Sequence, residues 1–512
     1  MKNYILTALL LMLIQFSFAQ SLPIHEQPII WLRADMYNNN PNQWDNCADT
    51  VYNANRSGVL LALDTCTLNY HQAFDFDTTT SPFTISNYYP AKRDKYNIFC
   101  VYQLDDTLLE YGLWQMQLDS ATDIKLSSTK TKNIRKHIRY SKSGSNIPII
   151  NSSSHSWNRI LIDSTISTLQ LIGTDSFRFK GKFAEFMVFN RRLKRIENEK
   201  VHTYLALKYG IGIYYLNYVN SLDTILWDSK VDSIYMYDIV GLGRDDSLGV
   251  YQKQTAAKGG NSDLVMYFDS LKHLNIDNNS FIDNMNFALY GHNDDSINIF
   301  TADTNNMYGY QKMMKRKWKV KIKGNTISQK AFSIKMFAPN VDTNLTLKLV
   351  INRLADDDFN PAFCTEISPY NRDTLGYYYY NNIYWDTDFS GEDIFTFSQL
   401  PVSANSQRVA GSNNDTSNNE STEEEDMDAN NQSLECNIYP NPSNGNFVLE
   451  IDAVNKTKFT LTIIDALGKV ILKEQYGGSL NYRINKQIDN SGNYLIRLNA
   501  KAVNKSLKLL VK

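Results

Sequence analysis

The sequence is poor in the features that mark most enzymes and nucleic-acid-binding proteins. Its 52 Lys and Arg residues are balanced by 54 Asp and Glu residues, and the net charge of −2 offers no basic surface for nucleic acid. It has no Gly-x-Ser-x-Gly elbow, no His-Glu-x-x-His pair and no phosphate-binding Gly-rich loop. Beyond the N-terminal residues no run of about 18 apolar residues occurs, so we expect no transmembrane segment in the mature chain.

Cysteine is also scarce, and no Cys-x-x-Cys or Cys/His spacing suggests a zinc site. The five cysteines are Cys47, Cys66, Cys100, Cys364 and Cys436. Cys47 and Cys66 are the closest pair and flank turn-like sequence, so in an oxidising compartment they are candidates for a disulfide. The odd count leaves at least one free thiol or an intermolecular bond.

The N-terminal residues have the pattern of a signal peptide. Lys2 supplies the positive charge, residues 5–14 are apolar, and Ser17-Phe18-Ala19 fits a small-x-small cleavage site before Gln20. No cysteine lies at the cleavage point, so a lipoprotein anchor is not expected. We predict that residues 1–19 are removed and that the chain is exported through the periplasm.

What the sequence has in abundance is tyrosine, with 32 residues, together with Asn, Asp and Ser in turn-like clusters. This composition favours an all-β fold. Residues 73–77 alternate between apolar and polar types, which is typical of a half-buried strand. One helix is predicted where apolar residues recur at helical spacing from Leu193 to Leu207, ending at Gly210. We divide the mature chain into β-rich regions at 20–213 and 214–402, an acidic linker at 403–434 and a C-terminal domain at 435–512.

Three segments of the first region resemble the concanavalin A-like (laminin-G-like) jelly rolls of secreted bacterial proteins. They are Trp-Leu-Arg-Ala-Asp at 31–35, Gly-Lys-Phe-Ala-Glu-Phe-Met-Val-Phe-Asn-Arg-Arg-Leu at 181–193, and Tyr-Leu-Ala-Leu-Lys-Tyr-Gly-Ile at 204–211. The resemblance implies a jelly-roll sandwich. Hydrolases of that family carry two acids on one strand face as Glu-x-Asp-x-x-Glu. The chain lacks this pattern, so Glu185 is expected to be structural.

The second region contains Gly-x-Gly-Arg-Asp-Asp at 241–246, Gly-His-Asn at 291–293 and Arg-x-Trp-Lys-Val at 316–320. This order resembles an uncharacterised module that often follows such jelly rolls, and the resemblance carries no known activity. We expect Arg244-Asp245-Asp246 to form a salt-bridged turn. We expect His292 to be a hydrogen-bonded turn or core histidine.

One acidic segment suggests a metal site. Asp386, Asp388 and Ser390 place oxygen ligands at positions 1, 3 and 5 of a loop that continues through Gly391 to Asp393, and calcium prefers such hard oxygen ligands. Position 12 is Phe397 instead of the bidentate Glu of an EF-hand, so at best this is a partial loop. The alternative is a solvated acidic turn.

The last eighty residues contain four ordered motifs between turn-punctuated strands. Tyr-Pro-Asn-Pro-x-x-Gly, Asp-x-x-Gly-Lys-x-Val, Gly-x-Tyr-x-x-x-Leu and a basic-apolar terminus together resemble the type A sorting domain of the type IX secretion system. The motif residues are Tyr439, Pro440, Asn441, Pro442, Gly445, Asp465, Gly468, Lys469, Gly492 and Tyr494. The resemblance implies a small immunoglobulin-like sandwich, the secretion channel and attachment machinery as partners, and secretion or attachment to the cell surface.

A run of four tyrosines, Tyr377 to Tyr380, bears on function. In a strand two of them would face outward, where aromatic rings could stack on sugars, although ordinary packing explains the other two. We therefore expect a non-enzymatic exported protein that binds extracellular glycans or matrix proteins. A polysaccharide-acting hydrolase, its accessory subunit and a structural surface-layer component are the alternatives.

Overall fold

The structure is a computed structural model. It describes residues 22–24, 26–38, 40, 42–48, 51–56, 64–79, 81–87, 95–117, 123–134, 136–140, 147–156, 167–174, 176–301, 312–341, 345–356, 359, 364–401, 434–453, 459–465, 469–476, 481–500 and 504–512. The predicted signal peptide lies outside the described residues, and so does the predicted linker except Leu434. The chain divides into two compact units, Met1–Ser406 and Gln407–Lys512. Within the described residues, no helix has both the length and the apolar character that crossing a membrane requires.

The N-terminal part of the first unit is a sandwich of two antiparallel seven-stranded sheets. Its strands are β1 (Ile30–Arg33), β2 (Gln43–Trp44), β3 (Ala54–Arg56), β4 (Asp64–Leu68), β5 (His71–Phe76), β6 (Phe83–Ser86), β7 (Lys95–Leu104), β8 (Gly112–Gln117), β9 (Asp123–Ser127), β10 (Thr131–Lys132), β11 (Lys136–Tyr140), β12 (Pro148–Ser156), β13 (Thr168–Leu171) and β14 (Gly181–Phe189). One sheet, which we call the helix-side sheet, has the order β11-β12-β7-β14-β5-β4, with β1 also paired to β14. The other has the order β10-β9-β8-β13-β6-β3-β2.

The helix-side sheet is covered on both faces, which explains the long apolar runs in β7 and β14. In β7, Ile98 and Cys100 pack into the core between the two sheets. Phe99 and Val101 point the other way, into a second core that contains the helix. Successive strand residues alternate between faces, so a strand buried on both sides has no polar alternation.

The predicted helix is confirmed as α1 (Arg195–Tyr209). Gly210 ends it in the left-handed conformation with φ of 65°, as expected for a C-terminal glycine. A Cβ atom at this position would lie 2.3 Å from the carbonyl oxygen of Ala256, so only glycine fits. Nearly all of α1 is buried, because it lies between the helix-side sheet and the strands that follow.

The remainder of the first unit is also built from antiparallel sheets. Its strands are β15 (Tyr218–Val219), β16 (Ile225–Trp227), β17 (Tyr237–Asp245), β18 (Val250–Gln252), β19 (Gln254–Ala256), β20 (Leu264–Phe268), β21 (Asn286–His292), β22 (Phe300–Thr301), β23 (Lys312–Met314), β24 (Trp318–Lys323), β25 (Phe332–Phe337), β26 (Leu345–Asn352), β27 (Cys364–Ile367), β28 (Asn371–Arg372), β29 (Tyr377–Ile383) and β30 (Glu392–Pro401). Short 3-10 helices lie at Ala34–Met36, Ser233–Tyr235, Lys258–Gly260, Asn275–Asp277 and Ile327–Gln329.

Two of these sheets enclose a third core. A nine-stranded sheet contains β18-β17-β21-β24-β30-β23-β22, with β26 paired to β30 and β27 to β26. A five-stranded sheet has the order β19-β20-β25-β29-β28. Trp318, Phe395 and Trp385 are among the large side chains buried between them. The all-β fold predicted from composition is confirmed.

The C-terminal unit contains β31 (Leu434–Tyr439), β32 (Asn446–Ala453), β33 (Phe459–Asp465), β34 (Val470–Tyr476), β35 (Asn481–Gln487), β36 (Gly492–Ala500) and β37 (Asn504–Val511). They form a three-stranded sheet, β31-β32-β35, and a four-stranded sheet, β34-β33-β36-β37. Leu449, Ile451, Leu461 and Ile496 are fully buried between the two sheets. This unit is therefore a small β-sandwich with its own core.

The predicted disulfide between Cys47 and Cys66 is wrong in this structure, because both thiols are free. The Cys47 amide donates to the Trp31 carbonyl beside β1, 2.8 Å away. Cys66 lies in β4 and pairs in register with Ala73 of β5. Proximity in sequence therefore did not translate into a bond between the two sulfur atoms.

Candidate functional site

Three sequence motifs of the first region meet in one buried network around Glu185. Strand β1 pairs with β14, and this register sets Trp31 and Arg33 beside the strand that carries Glu185. Trp31 Nε1 donates to Glu185 Oε1 at 2.5 Å. On the other carboxylate oxygen, Lys208 Nζ donates at 2.9 Å and the Tyr209 hydroxyl at 2.6 Å.

A second carboxylate completes the charge balance of this network. Asp35 lies 3.1 Å from Lys208 and 2.9 Å from Arg33, so two acids face two cations. Burial alone would raise the pKa of Asp35, but the charges of Lys208 and Arg33 outweigh burial and hold the pKa well below its usual range. Burial beside Lys208 lowers the pKa of His71 to about 4, so this neighbour is neutral at pH 7. A fully paired network of this kind holds β1, β14 and α1 together.

The tyrosine run is divided between the two faces of β29. Tyr378 and Tyr380 are completely buried in the core of the two sheets. Tyr377 and Tyr379 lie on the opposite, outer face and are half-buried. The alternation predicted from the sequence is therefore what the strand adopts.

Strand β25 and the segment before β28 extend this outer face into a row of rings that we call the aromatic face, formed by Phe337, Tyr370, Tyr377 and Tyr379. Phe337 of β25 is the register partner of Tyr377, and their ring centroids are 4.8 Å apart. Tyr370, 58% exposed, lies 6.3 Å from Tyr379. The sequence pointed to the two tyrosines of β29 but missed Phe337 and Tyr370, because their place beside them depends on strand pairing.

The aromatic face carries both a cation and a hydrogen-bonding fringe. Lys335 Nζ lies 3.9 Å from the ring centroid of Tyr377 and 5.7 Å from that of Tyr379. The Tyr379 hydroxyl donates to Asp373 Oδ2 at 2.9 Å. Burial and this bond together raise the pKa of Tyr379 to about 12, so its hydroxyl keeps its proton. The result is an apolar platform edged with groups that can hydrogen-bond.

The acidic loop at Asp386–Asp393 is closed by its own hydrogen bonds. Asp386 Oδ1 accepts from the Gly391 amide at 2.7 Å, and Asp393 Oδ2 accepts from the Asp386 amide at 2.6 Å. Arg353 Nη1 lies 2.9 Å from the same Asp393 oxygen. The Ser390 hydroxyl donates to the Glu392 carbonyl, and Asp388 accepts from the Ser390 amide.

These contacts do not fit a calcium ion well. Ligand oxygens of Asp386 and Asp393 are committed to amides, and a guanidinium stands where a cation would need negative charge. Among the described residues, no group of three or more His, Cys, Asp or Glu side chains is placed to hold a metal. The one feature in favour is Asp393 Oδ1, which is buried without a hydrogen-bond partner. Calcium at this loop stays a prediction.

Two further expectations concern polar groups of the second region, and both are confirmed. Arg244 Nε lies 2.7 Å from Asp246, while Asp245 is buried and accepts from the Leu248 amide. His292 is 5% exposed, and its Nε2 lies 3.0 Å from Asp238. Its Nδ1 accepts from the Asp294 amide, so the neutral ring carries its proton on Nε2.

The first sorting motif is fastened to the last strand of the C-terminal unit. Asn441 Nδ2 donates to the Lys508 carbonyl at 2.7 Å, and Asn441 Oδ1 accepts from the Leu510 amide at 3.0 Å. We call this pair of bonds the Asn441 clasp. The prolines on either side, Pro440 and Pro442, follow cis peptide bonds.

The remaining motif residues of this unit are turn and core residues. Gly445 has φ of 105°, and a Cβ atom there would lie 2.7 Å from the Ile488 carbonyl oxygen. The Lys469 amide donates to Asp465, and Gly468 lies outside the described residues. Tyr494, two residues after Gly492, is buried and donates to the Asn490 carbonyl at 2.8 Å. The Tyr439 hydroxyl donates to Glu450 on the surface.

Two protein families match parts of the chain. Residues 437–512 match the family described as "Secretion system C-terminal sorting domain". Residues 197–389 match the family described as "Domain of unknown function (DUF8202)". The second match begins in the first turn of α1 and includes the aromatic face. A comparison with curated proteins finds no match.

Solved structures give only distant similarity. A β-glucuronidase of Parabacteroides merdae is 11% identical over 35% of this chain and 27% of its own, with a TM-score of 0.13. Dimeric latent PorU of Porphyromonas gingivalis is 10% identical over 88% of this chain and 32% of its own, with a TM-score of 0.14. HBP35 of the same organism is 14% identical over 38% of this chain and 59% of its own, with a TM-score of 0.10. The chain therefore spans less than two thirds of each of these proteins.

The sorting-domain match confirms the prediction from the C-terminal motifs. The chain carries a type IX sorting domain, so it is exported and then secreted or attached to the cell surface. The secretion machinery is accordingly one of its partners. The jelly-roll family of the first region is not among the matches, and what the structure shows there is two packed antiparallel sheets.

Proposed function

We propose that this exported protein is a non-enzymatic glycan-binding protein and that the aromatic face is its binding surface. The observation that carries the proposal is the alignment of four ring side chains, Phe337, Tyr370, Tyr377 and Tyr379, on the outer side of one sheet. A pyranose ring has one face covered by C–H groups, which packs against an aromatic ring much as another apolar surface would. A row of rings on two adjacent strands and the segment before β28 suits a chain of sugars.

The polar fringe of the face supports the same function. Lys335 and Asp373 flank the rings, and both offer hydrogen-bonding atoms to sugar hydroxyls. A binding site that combines an apolar platform with a few fixed polar groups is the usual arrangement for small-molecule ligands. An exported protein meets glycans of its own surface, of other cells or of their matrix.

The absence of catalysis is part of the proposal and has its own support. The carboxylates of Glu185 and Asp393, which are buried, and of Asp35, which is partly buried, each lie 2.9 to 3.1 Å from a cation. A glycosidase needs two carboxyl groups that flank one bond and are free to exchange protons. Neither Glu185 nor Asp35 is placed for that role, because both lie inside a closed network.

The experiment is a glycan array with the purified mature chain, residues 20–512, compared with the Y377A/Y379A variant. We expect the variant to lose binding by about tenfold, since two stacked rings contribute roughly 0.5–1.5 kcal/mol each. Phe389→Ala removes another exposed ring, 77% exposed, and should leave binding unchanged. Circular dichroism melting separates lost binding from lost folding. Binding to no glycan on the array would reject the proposal.

A further inference from the structure

A surface cavity of about 370 Å³ lies where the edge of the helix-side sheet meets the start of α1. Its floor is a row of side chains across three strands. Lys136 of β11 is the register partner of Ser154 of β12, and Ser154 is the partner of Asn97 of β7. One row to the side, Ser152 pairs with Ile138 and lines the same cavity. Strand pairing thus gathers hydroxyl, amide and ammonium groups from segments far apart in sequence.

The wall opposite the sheet comes from the start of α1 and from the segment that follows the helix. Arg192, Arg195 and Asn198 line the cavity from the segment that leads into the helix and from its first turn. Tyr215 lines it from the segment that follows the helix. Tyr215 is 78% exposed, so its ring borders both the cavity and the solvent. The lining therefore combines these polar groups with the apolar side chains of Ile138, Leu193 and Leu216 and with two aromatic rings, Tyr140 and Tyr215.

The charge of the lining is positive. Among the described residues that line the cavity, Lys136, Arg192 and Arg195 are cationic and none is Asp or Glu. Arg195 shares its charge with Glu199, 3.0 Å away. Lys136 and Arg192 are exposed, and within the described part of the chain neither side chain has an ion-pair partner.

The helix dipole does not add to this charge. Glu197 accepts from the Lys194 amide at 2.8 Å and pairs with Arg191 at 2.7 Å, so the first turn of α1 already has its anion. The preference for negative ligands therefore rests on Lys136 and Arg192, which no carboxylate among the described residues neutralises. Positive charge in a concave polar surface attracts anions more strongly than the same charge on an open surface.

We propose that this cavity binds an acidic oligosaccharide, one that carries carboxylate or sulfate groups. Lys136 and Arg192 would pair with the anionic groups, because charge-assisted hydrogen bonds are the strong ones. Ser152, Ser154 and Asn198 match sugar hydroxyls, and the Tyr215 ring offers a face for a sugar ring. A free inorganic anion would use only the charges and leave the hydroxyls, the amides and the ring without a role. The proposal does not depend on glycan binding at the aromatic face.

The test is isothermal titration of the mature chain with a heparin tetrasaccharide and with neutral chitin tetrasaccharide, at about 50 mM and about 300 mM salt. The variant is K136S/R192S, which changes two exposed side chains and should fold normally. Its matched control, K315S/K323S, removes two exposed cations outside the cavity. Y377A/Y379A reports on the aromatic face in the same experiment, and inorganic sulfate is added as a competitor.

We expect the heparin tetrasaccharide to bind at low salt and weaken at high salt, with affinity falling about tenfold or more in K136S/R192S. The control and Y377A/Y379A should keep wild-type affinity for it. Equal affinity for the neutral tetrasaccharide, or unchanged affinity in K136S/R192S, would overturn the proposal. If sulfate at the same concentration as the heparin tetrasaccharide displaced it, the cavity would be a simple anion site. The proposal that it binds an oligosaccharide would then be overturned. Loss of heparin binding in Y377A/Y379A but not in K136S/R192S would show that acidic glycans bind the aromatic face and would overturn the assignment to the cavity.

Discussion

Lys208 Nζ lies 2.9 Å from Glu185 Oε2, and the two side chains are only 5% and 1% exposed. The pair joins the helix to the last strand of the first sandwich, and Asp35 and Trp31 bring in the first strand. Glu185 and Lys208 are thus at the centre of the contact that holds β1, β14 and α1 together. A buried pair of this kind is costly to break from one side, because the remaining charge has no water to solvate it.

Lys208→Met should therefore destabilise the first unit by about 3–5 kcal/mol, since Glu185 and Asp35 would both lose their shared cation. Urea unfolding followed by tryptophan fluorescence measures the change. Lys130→Met is the matched control, because Lys130 is 75% exposed and pairs with Glu110 at 2.7 Å. An exposed pair contributes roughly 0–1 kcal/mol, so this control should hardly shift the midpoint. Similar small effects of both substitutions would contradict the structural role of the network.

The buried carboxyl of Asp393 should make stability depend on pH. Burial raises its pKa to about 6 even though Arg353 opposes the shift, whereas an unfolded Asp titrates near about 3.9. Between these two values the folded state holds the proton more tightly, so the free energy of unfolding should fall as pH rises from about 4 to about 6. The loss is about 3 kcal/mol at most.

Asp393→Asn tests this pH dependence, because an amide does not titrate. The difference in unfolding free energy between the variant and the wild type should move in favour of the variant as pH rises through that range. Urea unfolding at a series of pH values gives the curve. A constant difference from pH 4 to pH 7 would show that Asp393 titrates normally.

Calcium at the Asp386–Asp393 loop is tested by melting with and without the metal. If the loop binds calcium as the sequence predicts, about 1 mM calcium should raise the melting temperature, because a ligand that binds only the folded state stabilises it. The rise should disappear in D386N/D388N and in excess chelator. A melting temperature that calcium leaves unchanged would identify the loop as an acidic turn closed by its own hydrogen bonds and by Arg353.

We expect that export of the chain requires the Asn441 clasp. Asn441→Ala removes two hydrogen bonds to the last strand and should cost the C-terminal unit about 1–3 kcal/mol. We expect less protein in the medium or on the surface and more in the periplasm, measured by immunoblot of cell fractions. Asn444→Ala is the control, since Asn444 is exposed and its side chain makes one long bond, 3.4 Å, to the Asn446 amide. Normal export of the Asn441 variant would show that the motif acts through something other than the clasp.

Features with a local physical cause were predictable from the sequence. The end of α1 follows from Gly210, whose left-handed backbone only glycine adopts without strain. The division of Tyr377–Tyr380 into two buried and two outward rings follows from the two-residue repeat of a strand. The sorting motifs could be recognised because each combines turn residues with strand residues in a fixed order.

Features that depend on which strands pair were not predictable from one sequence. Cys47 and Cys66 look close along the chain, yet they take part in different strand contacts. Conversely, Lys136 and Arg192 are far apart along the chain and line one cavity. Both outcomes depend on how segments distant in sequence come together in the fold, which the local pattern of either segment alone does not specify.

The pairing of β1 with β14 has a consequence for the order in which this protein can form. Residues 30–33 are synthesised early, but their partners at positions 185–188 follow much later. During that interval Trp31 and Leu32 lack their partners in β14. Glu185 and Lys208, which complete the charge network with Asp35, are also still to be synthesised. Contacts between residues so distant in sequence form slowly. The contact between β1, β14 and α1 can therefore be complete only when all residues up to Tyr209 are present.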